Sequence, residues 1–100
     1  MSKSLHRICD IQITLAKHVE DSQEFLNLCL EQADLLLENK DKFTNEIFIV
    51  LANDAMELVN DRLEDLLFAA IHSADLQFIS TIHRRYREIR RLVHQKKFGN

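Results

Sequence analysis

The chain of 100 residues has no proline, no tryptophan and a single glycine, Gly99, one place from its end. Tight hairpins and bulges draw on glycine, and proline and glycine are the residues a helix interior tolerates least. A sheet of several strands would need turns that this composition does not supply. The absences therefore point to an all-α protein. Polar, low-hydrophobicity sequence is also missing: with 46% apolar and 29% charged residues the composition is that of a globular domain. The length suits one domain over residues 1–100, with a core of modest size.

Further absences narrow the function. No apolar run approaches the roughly 20 residues of a spanning helix, and the stretch from Met1 to Leu15 is too polar and interrupted for a signal peptide. A soluble, cytoplasmic protein is the expectation. Cys9 and Cys29 form no CxxC or Cys/His ligand cluster and read as free thiols on apolar helix faces rather than a disulfide. The five histidines contain no Glu-x-x-His or His-x-x-x-His pair. His72, His83 and His94 recur every eleven residues, but on a helix that separates neighbours by roughly 16 Å, too far for one ion to bridge. His6 and Cys9 stand at i, i+3, yet no glycine-bearing loop supplies an oxyanion site beside them. Glu64 and Asp65 are adjacent and point about 100° apart on a helix, so they form no catalytic pair. No phosphate-cradling loop exists. The expectation is a protein without metal, cofactor or enzymatic activity.

What the chain does have is a divided charge. The formal net charge is −3, but residues 1–75 hold six Lys/Arg against fifteen Asp/Glu, whereas residues 76–100 hold seven Lys/Arg against Glu88 alone. Such a division is a statement about partners, inside the chain or outside it.

Hydrophobic periodicity predicts helices over about 5–20, 22–39, 45–72 and 76–97, hence an antiparallel bundle of three or four helices. The count depends on the first two. Leu5, Ile8, Leu15, Ala16 and Val19 share a face that Leu26, Leu30, Ala33 and Leu37 continue without a change of phase, which suits one rod from Leu5 to about Asn39. Asp21 followed by Glu24 has capping-box spacing, and Phe25, Leu28, Leu35 and Leu36 lie off that face, which suits a break near Glu20-Asp21-Ser22. Further on, Thr44 is placed to cap the third helix, with Phe43 and Phe48 at the positions of a hydrophobic staple. Phe48, Leu51, Ala55, Val59, Leu66 and Ala70 make its core face, and Glu46, Asp54, Glu57, Asp61, Glu64 and Asp65 form an acidic stripe opposite. After Ser73-Ala74-Asp75, Ile79, Ile82, Tyr86, Ile89 and Val93 step 3, 4, 3, 4, the heptad spacing of a helix packed along its length. Gly99 stands where a helix-ending residue belongs.

On that last helix His83, Arg84, Arg87, Arg90, Arg91 and His94 fall within about 120° of one another, away from the heptad seam, and Arg85, Lys96 and Lys97 flank them. Such a stripe is solvated, or it faces the acidic stripe of the preceding helix, or it awaits a partner. Arginine forks suit carboxylates and phosphates alike. The net-acidic chain and the lack of a base-reading motif favour an acidic protein as partner, with nucleic acid as the alternative. The surplus of apolar residues and the heptad seam further suggest a homodimer, with Ile79, Ile82, Tyr86, Ile89, Val93, Leu26, Leu30 and Leu37 as its packing residues. The functional expectation is a regulator, adaptor or chaperone-like binder acting through helix docking.

Overall fold

Local capping chemistry sets where the helices start. A computed structural model describes residues 2–99 and contains four helices and no strand among them: α1 (Lys3–Ala16), α2 (Ser22–Glu38), α3 (Asn45–Ala69) and α4 (Leu76–Phe98). Ser2 Oγ accepts the amide of Leu5 at 3.1 Å, Asp21 Oδ1 that of Glu24 at 2.9 Å, and Thr44 Oγ1 that of Ile47 at 3.2 Å. Each satisfies a donor that the first helical turn leaves free. At α4 the side chain of Asp75 caps nothing; Ser73 Oγ instead takes the amide of Asp75, turning the chain just before the helix. Gly99 closes α4 in the left-handed conformation at φ 76°.

The first two helices are separate. His18 adopts φ 65°, a left-handed conformation rarely taken by residues other than glycine, and this stops α1 and turns the chain. The turn is held from the opposite side of the fold. The Arg62 guanidinium on α3 donates to the carbonyl oxygens of Val19 and Glu20 and lies over the Phe25 ring, 4.4 Å from its centroid. Val19, in the turn, is buried.

The break resets the helical phase, which corrects the expected core face of α2. Phe25, Cys29, Gln32, Leu36 and Asn39, spaced 4, 3, 4, 3, are its buried seam together with Leu26 and Ala33, while Leu30 and Leu37 are only half-buried. In α1 the buried residues are Ile8, Ile11 and Leu15, and Ala16 is exposed. In α3 Phe48, Leu51, Ala52, Ala55, Val59 and Leu63 are buried, Leu66 is half-buried and Ala70 serves as the buried C-cap. Helix α3 therefore ends before His72, which lies in the turn to α4. The three histidines at eleven-residue intervals do not share one helix.

Pairing of residues gives the helix directions. Arg7 on α1 meets Glu31 on α2, Phe25 on α2 meets Arg62 on α3, and Asn45 at the start of α3 meets Lys96 near the end of α4. Sequential helices are thus antiparallel, as their short connections require. Helices α2 and α3 touch every other helix, whereas α1 and α4 share no contact. The bundle is a flattened rhombus, 39 × 28 × 18 Å, with α2 and α3 across its short diagonal and α1 and α4 at its far corners.

Candidate interaction surface

The two sides of α4 have different fates. Ile79, Ile82, Tyr86, Ile89 and Val93 are all buried, joined by Leu92. They pack inside the chain against α2 and α3, as does Leu26. This corrects the expectation of a dimer seam: those residues are covered by their own chain, because the break near His18 folds α2 back to meet α4. A polar network lies within this packing. The Tyr86 hydroxyl donates to the carbonyl of Cys29 at 2.7 Å and accepts from Gln32 Nε2 at 3.0 Å, tying α4 to α2. Gln32 is fully buried and its Oε1 has no partner among the described residues. Burial pushes the Tyr86 hydroxyl well above its ordinary value and the Cys29 thiol up to about 12. Cys29 is therefore an inert packing thiol, and Cys9, free on the surface of α1, forms no bridge with it.

The basic residues divide into those with partners and those without. Arg85 pairs with Asp34 of α2 at 2.9 Å. Lys96 reaches the Lys40 carbonyl and Asn45 and lies over Phe48, closing the end of the bundle. Arg91 grips Glu88 one turn back, raising its own pKa and lowering that of the carboxyl. That leaves Arg84, Arg87 and Arg90, and Lys97 in the last turn, all exposed, with no carboxylate within 4 Å among the described residues. Arg84 makes only a 3.3 Å contact with Thr81 on its own helix. His83 is half-buried, and exposed His94 rests against the ring of Phe98, 4.8 Å between centroids.

Glu46, Asp54, Glu57, Asp61, Glu64 and Asp65 on α3 are likewise exposed, and none joins an ion pair among the described residues. The acidic and basic stripes run side by side without closing on each other. Between them lies a small groove with buried Tyr86 at its floor, Asn60 and Glu64 along the α3 lip, and His83, Arg87 and Arg90 along the α4 lip. Large apolar side chains stand at the ends of the same stripes: Val50 and Phe68 on α3, exposed by 59% and 81%, and Phe98 on α4, exposed by 66%.

Sequence reasoning missed the Gln32–Tyr86–Cys29 network and the role of Arg62. A signal existed for the first. Gln32 lies seven residues after Phe25 and four before Leu36, a core position once α2 is read as its own helix. For Arg62 no local pattern would have served, since its partners lie more than forty residues away. Among the described residues no group of three or more His, Cys, Asp or Glu side chains converges, and no helix is long and apolar enough to cross a membrane. Compared with protein-family models, curated proteins and solved structures, the chain matches none.

Proposed function

We propose that this protein is a non-enzymatic interaction module, a regulator or adaptor, that engages an acidic protein surface through the outer face of α4. The observation that carries the reading is the isolation of Arg84, Arg87 and Arg90. Arg85 and Arg91 pair with carboxylates and Lys96 is tied to the α2–α3 connection, while among the described residues these three project from a well-anchored helix with no carboxylate within 4 Å, Arg84 touching only Thr81 of its own helix. A rigid helix holds three planar guanidinium forks in a fixed array, which lowers the ordering cost of binding carboxylates. The polar network behind them fixes the rotation of α4, so the array points outward by construction of the core.

The test is capture from a lysate of the organism that makes the protein, with mass spectrometry, against the triple reversal Arg84→Glu, Arg87→Glu and Arg90→Glu. The expected result is a reproducible acidic protein that the reversal loses while the helical circular dichroism spectrum is unchanged. With no Trp and a single Tyr, the protein absorbs weakly at 280 nm, so retained nucleic acid would dominate its spectrum. Nuclease-sensitive material retained by the wild type, in place of a protein, would transfer the same arginines to phosphate-backbone binding. Repeated capture of no specific macromolecule would sink the reading.

A further inference from the structure

We infer that the acidic surface that α4 engages is the α3 stripe of a second copy of this chain, in a two-fold dimer whose axis runs parallel to the helices. The inference rests on the proposal that the outer face of α4 binds acidic protein, and it names the partner.

The face formed by α3 and α4 has one sign on each lip. Helix α3 carries six acids and Arg62; helix α4 carries seven Lys/Arg and Glu88. A half-turn about an axis lying in this face and parallel to the helices lays α3 of one copy over α4 of the other, and α4 over α3. Both contacts then bring acid to arginine. A half-turn about the perpendicular in-plane axis would lay acid on acid and arginine on arginine. Charge thus selects one two-fold arrangement, and an isologous contact of this kind closes on itself.

The spacing fits as well as the sign. Asp54, Glu57, Asp61 and Glu64 step 3, 4, 3 along α3; Arg84, Arg87, Arg91 and His94 step 3, 4, 3 along α4. Within one chain Asn45 is level with Lys96 and Glu64 with His83 and Arg87. An axis parallel to the helices preserves these levels, so Glu57, Asp61 and Glu64 of one copy run past Arg90, Arg87 and Arg84 of the other in antiparallel order. Phe98 falls near Ile47 and Val50 of the opposite copy, at an end of the interface, which gives a use to three exposed apolar side chains. Two helices of about 35 Å, each about 10 Å wide, offer roughly 700 Å² per copy or roughly 1,400 Å² in all, within the range of stable interfaces.

Because the contacts are ionic and exposed, association is sensitive to salt. Sedimentation equilibrium of the full chain in 50 mM NaCl is expected to give a mass approaching twice 11.8 kDa, with the dissociation constant rising on the order of tenfold in 500 mM NaCl as the screening length shortens. Arg84→Glu/Arg87→Glu/Arg90→Glu and Glu57→Arg/Asp61→Arg/Glu64→Arg should each be monomeric, and an equal mixture of the two should recover the dimer. Recovery on mixing is an outcome that damaged folding cannot produce. A wild-type mass of 11.8 kDa at high micromolar concentration in low salt, open-ended growth beyond two copies, or a dimer indifferent to both reversals would each overturn the inference. If the wild type is monomeric yet still captures an acidic protein through its arginines, the self-association fails and the interaction reading stands. If the arginine reversal changes neither mass nor capture, both fail.

Discussion

Helices α1 and α4 occupy equivalent corners of the rhombus, each packed on α2 and α3, yet they are held very differently. Helix α1 spans fourteen residues and buries three side chains; its polar ties are the exposed Arg7–Glu31 pair and one hydrogen bond from Gln12 to the Leu51 carbonyl. Helix α4 spans twenty-three residues and buries six side chains, and its ties include the buried Tyr86 network and Lys96 bridging to the α2–α3 connection. Buried apolar area sets most of the cost of detaching a helix, so α1 is the element that opens first and α4 the one that stays. The arginine stripe stands on the more firmly held of the two corner helices. That suits docking by preformed geometry rather than by folding on contact.

Substitutions test this contrast, beginning with the largest effect. Ile82→Ala, at a fully buried site on α4, is expected to cost about 2–5 kcal/mol, read from the urea midpoint. Ile8→Ala on α1, equally buried, should fall at the low end of that range because the shorter, less buried α1 can shift to fill the space. Equal losses at the two sites would erase the distinction between the helices. Tyr86→Phe should cost about 1–3 kcal/mol, since it strips partners from Gln32 Nε2 and the Cys29 carbonyl in the core. Gln32→Leu, of similar volume, should be close to neutral because it removes the unpartnered Oε1 and leaves the Tyr86–Cys29 bond intact.

The same network predicts a response to alkali. Tyr86 and Cys29 both have raised folded pKa values, so their contribution to stability is complete below the ordinary values and is lost as pH climbs. For Cys29 the window runs from its ordinary value of 9.0 to about 12. For Tyr86 the loss begins near its ordinary value of 10.0. As the chain has one tyrosine, its phenolate absorbance should appear together with the loss of helix on alkaline titration. Phenolate absorbance rising in a fully helical protein would place Tyr86 outside a closed core.

Smaller effects belong to the α1 side. His18→Gly relieves a left-handed backbone and should stabilise by about 1 kcal/mol, seen as a higher urea midpoint; a loss would mean that the His18 side chain holds the turn. Arg7→Ala should change stability least, by less than about 1 kcal/mol, because both partners of the Arg7–Glu31 pair are more than a third exposed. The Arg7 hydrogen bond lowers the Glu31 pKa. Its small contribution is therefore present above the ordinary carboxylate value of 4.5 and fades as pH falls through the depressed one, a difference measurable between wild type and Arg7→Ala.

Most of α3 and α4 is legible in the sequence. The Thr44 cap and the 3, 4, 3, 4 seam of α4 are local signals, expressed within one or two turns, and both occur as expected. The exposed positions of the acidic and basic stripes followed from the same periodicity. The first half was harder. A shared phase linked Leu5 to Leu37 across a break that a capping box also marked, and the two cues were of comparable weight. Taking the phase as continuous put Leu30 and Leu37 in the seam and left out Cys29, Gln32 and Leu36.

The sequence by itself determined the helical class, through its lack of proline and glycine, and the division of charge between α3 and α4. It also marked which side of α4 is apolar, because helical periodicity depends only on neighbours in the chain. Tertiary structure decided where α1 ends, since His18 holds its strained conformation under the grip of Arg62, whose partners lie more than forty residues away. It decided that α2 rather than a second chain covers the α4 seam. And it decided which cations stay unpaired: Asp34 and Glu88 pair with Arg85 and Arg91 and the Lys40 carbonyl accepts from Lys96, leaving Arg84, Arg87 and Arg90 without a carboxylate within 4 Å among the described residues.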